Sequence, residues 1–237
     1  MSIVRNHHVN RRISVLFVCL VVLAWTSGCA GTKQTRSATP QGFLGDYSML
    51  KEGQGEQAQL VYVNPKTDFS TYGRIYLEPI TVWVAPGSSL HDVDQEDLQR
   101  LADYLYAALR RELEFDYVMV NQPGPGTLRV RAAITEARKS KVVLDIVSSV
   151  LPQARLVTSA IGLATDMPSA VGSTSIEVDI TDSLSGERLA AVVDERSGTK
   201  SIRGAHRTWG DVDDAYDVWA EKLRTRLSQL RDDHSPQ

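Results

Sequence analysis

This chain has little cysteine, little histidine and no apolar run long enough to cross a membrane. Of its 237 residues only Cys19 and Cys29 are cysteines, both near the amino terminus. A domain built from the rest has no disulfide framework, no thiolate metal site and no cysteine nucleophile. Beyond the amino-terminal region the histidines are His91, His206 and His234, far apart and without zinc-ligand spacing. The uncharged apolar stretch from Ile13 to Trp25 falls short of the roughly 20 residues that a spanning helix needs. No Gly-x-Ser-x-Gly elbow occurs. Ser48-Met49-Leu50-Lys51 matches the Ser-x-x-Lys of penicillin-binding enzymes, but Lys66-Thr67 is followed by Asp68, not by the glycine of the partner box. The chain therefore reads as a non-enzyme with no cofactor and no metal.

What is present begins with an export signal. Arg5, Arg11 and Arg12 precede the apolar Ile13–Trp25 stretch, and small residues follow at Thr26, Ser27 and Gly28. A basic front, an apolar core of about 7–15 residues and a small-residue exit define a secretory signal. Arg11-Arg12 is continued by Ile13-Ser14-Val15, which favours general secretion over a twin-arginine route. Ser27, Gly28 and Cys29 match the lipobox of bacterial lipoproteins, and Thr26 departs from its usual leucine. The expectation is cleavage after Gly28 and acylation of Cys29 with palmitate-type chains. Ala30 next to Cys29 implies, by the sorting pattern of such lipoproteins, the outer membrane facing the periplasm. Loss of residues 1–28 leaves 23 basic and 29 acidic residues, a net charge of −6. That balance disfavours nonspecific nucleic-acid binding, which phosphate neutralisation drives.

The expected organisation is signal 1–28, lipidated Cys29 with a flexible tether to residue 41, and one periplasmic domain over 42–237. Gly31 to Gln41 is polar and small, and reaches about 35–40 Å when extended. In the domain, Arg74 to Ala85 reads as a strand whose parity changes at Pro79, so a bulge is expected there. Leu98, Leu101, Leu105, Leu109 and Leu113 predict a helix over Asp94–Glu114. Strands follow at Tyr117–Val120 and Leu128–Lys139. A hairpin spans Ser173–Thr181 and Arg188–Arg196, with inward sets Ile176, Val178, Ile180 and Leu189, Ala191, Val193. A last helix covers Gly210–Leu230. The fold class is α+β: two layers, a mixed or antiparallel sheet of about five or six strands with two long helices packed on it.

Acidic clusters at Asp92–Asp97 and Asp211–Asp217 precede or open helices, where they complement the helix dipole. The calcium-loop pattern fails, because Tyr216 and Lys222 stand where a loop counted from Asp211 needs glycine and glutamate. Arg129 and Arg131 share one outward strand face, either solvated or touching anionic envelope material. Val142 to Ala164 is apolar and interrupted at Pro152. It is either a helical crossover covering the sheet or a flap docking on membrane or a second subunit, with Val147, Leu151, Leu156 and Ile161 as contact residues.

Gly42-Phe43-Leu44-Gly45-Asp46-Tyr47-Ser48-Met49-Leu50 resembles an uncharacterised bacterial lipoprotein family, domain of unknown function 3313. Tyr62-Val63-Asn64-Pro65, Val150-Leu151-Pro152 and Trp219-Ala220 extend the resemblance over nearly all of the mature domain. It implies an envelope lipoprotein and brings no catalytic residues. The order of elements is also similar, more loosely, to assembly lipoproteins with the fold of the TolB amino-terminal domain, a likeness of fold and not of function. The expected role is a binding or scaffolding module for an envelope protein or peptidoglycan partner. The alternatives are an oligomeric assembly or secretion component using residues 142–164, and a hydrolase with an unrecognised site.

Overall fold

The computed structural model describes residues 32–35, 38–139, 172–198 and 208–233. Its elements in chain order are β1 (Thr32–Gln34), β2 (Lys51–Glu52), β3 (Leu60–Val63), β4 (Arg74–Leu77), β5 (Thr81–Val82), α1 (Gln95–Leu113), β6 (Val118–Val120), β7 (Thr127–Arg138), β8 (Ser173–Asp182), β9 (Arg188–Gly198) and α2 (Gly210–Asp232). All nine strands join one mixed sheet in the order β2-β3-β9-β8-β7-β4-β6. Within it β1 continues the β9 edge, and β5 pairs with β7. The class is α+β, as expected, with more and shorter edge strands than the sequence suggests.

The long strands carry the core because their side chains alternate. Leu128, Val130, Ala132 and Ile134 of β7 lie opposite Asp182, Ile180, Val178 and Ile176 of β8, and all four β7 side chains are buried. The slip expected at Pro79 is real. Leu77 pairs with Val130 and Thr81 with Ala133, so the β4–β5 strand uses one residue more than β7. That extra residue returns Val82 to the face already occupied by Ile75 and Leu77.

A second slip alters one expectation. Ile180 pairs with Ala190 but Thr181 pairs with Arg188, which leaves Leu189 without a register partner. Leu189 and Ala190 both join the main core, whereas Ala191 and Val193 face the other side of the sheet with Leu44. The inward set Leu189, Ala191, Val193 is thus divided between two faces. An uninterrupted period of two misses this, because a bulge flips every later side chain.

The helices cover one face. The stripe Leu98, Leu101, Leu105, Leu109, Leu113 of α1 is buried, and Val212, Tyr216, Trp219, Leu227 and Leu230 of α2 pack beside it. Arg100 meets Asp213, Tyr104 meets Asp217, Arg224 meets Glu112 and Ser228 meets Asp116. Both numbers rise together, so the helices run parallel. The acids at the helix starts therefore bridge elements more than they cap. Asp94 stands at the N-cap of α1 without a side-chain cap bond and pairs with Lys139, and Asp211 accepts from the Gly172 N–H.

The stretch expected as a flexible tether contains β1. Thr32, Lys33 and Gln34 pair antiparallel with Gly198, Ser197 and Arg196, and buried Arg196 donates to the Thr32 hydroxyl at 3.0 Å and its carbonyl at 3.1 Å. A polar sequence forms strand here because an unpaired β9 edge offers its backbone groups. Described strand structure thus reaches back to Thr32, ten residues before the expected boundary at 42.

Candidate functional site

The two faces of the sheet differ in chemistry. On the face away from the helices, Arg129 Nε donates to Glu78 at 2.6 Å. Arg131 lies 3.7 Å from Glu78 and 3.5 Å from Asp179, and Arg188 Nε donates to Asp179 at 2.7 Å. The Arg131 guanidinium also sits 5.0 Å from the centre of the Phe43 ring. Residues 41–47 close over this network. Glu177, wholly buried, accepts from the Gln41 N–H at 2.6 Å, the Leu44 N–H at 3.1 Å and the Tyr47 hydroxyl at 2.6 Å. Burial, then the Glu177 carboxylate, pushes the Tyr47 phenol up to about 12. Arg188 donates to the carbonyls of Leu44 and Asp46, each at 2.8 Å. The arrangement pairs the buried carboxylates of Glu177 and Asp179 and covers that part of the face.

The other face is open. Where α2 passes over β3, β9 and β8, helix and sheet part to leave a cleft of about 540 Å³. Its walls are apolar: Val61 and Val63 from β3, Val178 and Ile180 from β8, Val192 from β9, and Leu223 from α2. The cleft has this position because β3 is only four residues long and all four side chains stay half-buried, so α2 meets an incomplete sheet edge. Polar groups gather at one end and along the rim. Trp219 Nε1 donates to the Asp194 carboxylate at 2.6 Å, which also accepts from the Gln59 N–H at 3.1 Å and from Gln34 Nε2 at 2.7 Å. Lys222 Nζ reaches the Glu56 carboxylate at 3.0 Å, and Arg226 Nη1 reaches Gln229 Oε1 at 3.3 Å. A concave, largely apolar space of roughly 300–1,000 Å³ with a few placed polar groups is the usual form of a ligand site.

The sequence-predicted positions fare unevenly. Arg129 and Arg131 are brought together on Glu78, each about two-fifths exposed and engaged in ion pairs. Gly28, Cys29, Val147, Leu151, Leu156 and Ile161 lie outside the described residues. Ser48 and Lys51 are both exposed, with Ser48 in a turn held by Asp46. Among the described residues no three His, Cys, Asp or Glu side chains stand where they could hold a metal ion. None of the described helices is long and apolar enough to cross a membrane. Sequence reasoning missed the cleft. The available signal was β3, an isolated run of four apolar residues with no long strand beyond it.

Residues 39–223 match the family described as "Protein of unknown function (DUF3313)", and the chain belongs to that family. No curated protein matches it in sequence. Among solved structures it is similar to the PelC dodecamer from Paraburkholderia phytofirmans, at 8% identity and a TM-score of 0.38, covering 69% of this chain and 94% of that one. A minor lipoprotein from Acinetobacter baumannii aligns at 11% identity and a TM-score of 0.33, over 68% and 95% of the two chains. The hypothetical protein CT253 from Chlamydia trachomatis gives 10% identity and 0.33, over 67% and 96%. At these identities and scores the likenesses carry no functional argument.

Proposed function

We propose that this DUF3313 chain is an envelope lipoprotein, acylated at Cys29 at the periplasmic face of the outer membrane, that works as a non-enzymatic binding module. The apolar cleft between α2 and the sheet edge carries the reading, because it is a preformed site whose polar groups already have structural partners. The basic front, apolar core and lipobox of residues 1–29 support the anchor. The partner is an envelope protein, a cell-wall component or a smaller envelope molecule that presents apolar surface. A photo-crosslinking residue at exposed Thr225, on the cleft rim, tests the binding role in cells. A discrete adduct lost when the cleft is filled supports it; no adduct from Thr225 or any other rim position refutes it. Cys29→Ser tests the anchor: unchanged membrane fractionation of the variant would break that part of the reading.

A second reading, an assembly or secretion component contacting membrane through residues 142–164, gains from one observation. Arg138 pairs with Ser173 and Ser173 with Ser197, next to the Thr32–Gly198 pair. The chain thus leaves and rejoins the domain at the end of the sheet that holds Thr32. Two residues separate Cys29 from Thr32 in the sequence, a reach of at most about 10 Å when extended. Val147→Asp with Leu156→Asp separates the roles: lost vesicle association with an intact fold supports docking, and unfolding supports a core role.

A further inference from the structure

Resting on the reading of the cleft as the binding element, we infer that its ligand is a single acyl chain of an amphiphile with a zwitterionic phosphate–ammonium head, such as a lysophospholipid. Three observations point to this chemistry. The first is shape. The cleft follows α2 from Val218 to Leu230, a run of about 18 Å at 1.5 Å per residue, close to the ~15 Å that one leaflet's chains occupy in a ~30 Å hydrocarbon core. Its volume of about 540 Å³ suits one chain and not the paired chains of a diacyl lipid. An extended protein segment would need backbone partners along its length. The walls here are aliphatic side chains, whereas an acyl chain has no donor or acceptor to satisfy.

The second observation is charge. The rim carries both signs at close quarters: Lys222 and Arg226 on α2, with Glu221 beside them and Glu56 on the facing loop. A plain fatty acid matches only the cations. A phosphate on Lys222 and Arg226 with an ammonium on Glu221 and Glu56 matches both, and charge-assisted contacts of this kind are the strong ones. Lys222 and Glu56 already pair across the mouth at 3.0 Å, so a zwitterion exchanges one salt bridge for two. The third observation is position. β1 starts at Thr32, three positions after Cys29, so in a lipid-anchored form the tether to a surface that supplies such molecules is short.

The test uses the full-length chain held in amphipol and a lysophosphatidylethanolamine brominated in mid-chain. Bromine quenches indole fluorescence at short range, and Trp219 lines the cleft. Saturable quenching at one lipid per protein, absent in Trp219→Phe, is expected. Val192→Phe fills the cleft from its floor, and Thr225→Phe crowds it from an exposed rim position without adding a second indole. Each should weaken binding about tenfold or more, the effect of losing roughly 1.4 kcal/mol of contact. Lys222→Gln with Arg226→Gln should weaken the lysolipid about tenfold, as expected for one lost charge-assisted contact, and leave a brominated alcohol of equal chain length unaffected. Quenching that rises without saturation, or that survives Val192→Phe and Thr225→Phe alike, overturns the acyl site. Equal affinity for lysolipid and alcohol overturns the zwitterionic head. Failure of every amphiphile alongside a protein adduct from Thr225 overturns the lipid while leaving the binding module standing.

Discussion

Replacing Glu177 by alanine should uncouple residues 38–50 from the sheet. The carboxylate is wholly buried and accepts three hydrogen bonds, two from backbone N–H groups and one from the Tyr47 phenol. Hydrogen bonds to a charged acceptor contribute about 1.5–3 kcal/mol each, but the three share one partner and do not add fully. Water can enter once the segment lifts, which recovers part of the loss. A net cost of about 3–5 kcal/mol follows from those three bonds after the discount. With a urea slope of about 1–3 kcal/mol/M, the midpoint should fall by at least 1 M at unchanged slope. The loss has a local signature too, since proteolysis within 38–47 should accelerate before the β7–β8–β9 core opens. Tyr47→Phe, which removes one donor to Glu177 and one acceptor for the Gly42 N–H, should cost about 1–3 kcal/mol in the same assay. A loss below 1 kcal/mol in Glu177→Ala, with unchanged protection of the segment, would refute the latch.

Three further outcomes are expected. The Asp182 carboxylate accepts from the Ser185 N–H at 2.7 Å and the Leu184 N–H at 3.0 Å, which hold it below the ordinary 3.8. Its stabilisation is full above that value and lost as pH falls through the lowered one. Asp182→Asn should thus cost about 0.5–2 kcal/mol at neutral pH, as for a lost cap, and progressively less as the pH falls below 3.8, read by chemical denaturation. Tyr47, Tyr72 and Tyr104 are pushed up to about 12, first by burial and then by Glu177, Asp182 and Asp217 respectively. A raised phenol stabilises fully below 10.0 and loses that contribution between 10 and 12. Ultraviolet titration should show late-ionising tyrosines whose ionisation coincides with unfolding; all tyrosines ionising near 10 in the folded protein would contradict it. Gly198→Ala places a methyl 2.2 Å from the Asp211 side chain, which holds the Gly172 N–H. Overpacking of this kind costs about 1–3 kcal/mol and should lower the melting temperature by several degrees; an unchanged melting temperature would argue against that close approach.

Much of this fold was legible because its long elements are periodic. The leucine stripe of α1, the stripe of α2 and the alternation in β7 and β8 each name their buried face without tertiary knowledge, and Pro79 marked the slip in β4–β5. Two features were not legible for one physical reason: local pattern says nothing about which edge awaits a partner. The Thr32–Gln34 stretch is polar and becomes strand only because β9 has an open edge beyond β3. The bulge at Leu189 follows from the hairpin closing at Asp182 and Gly186, where Gly186 adopts a φ of +74° and its N–H bonds the Asp182 carbonyl at 2.9 Å. The cleft was illegible for the same reason, since it exists only where α2 overhangs a strand four residues long.

The two faces of the sheet argue for where function lies. A polar face could have served for recognition, and Arg129 and Arg131 suggested it. In the folded chain those charges are matched by Glu78 and Asp179, and the neighbouring carboxylate of Glu177 is covered by residues 41–47. Displacing that cover to admit a partner would expose Glu177, Asp179 and Leu44 together, a cost of several kcal/mol before any contact forms. The helix face needs no such opening. Its apolar walls already stand apart, and a space lined this way offers water few hydrogen-bond partners, so an apolar group entering it displaces water favourably. An apolar ligand gains by entering, whereas a polar one would forfeit its hydration for walls that cannot bond it. Binding at the cleft would also leave the latch of residues 41–47 closed, since the two lie on opposite faces of the sheet.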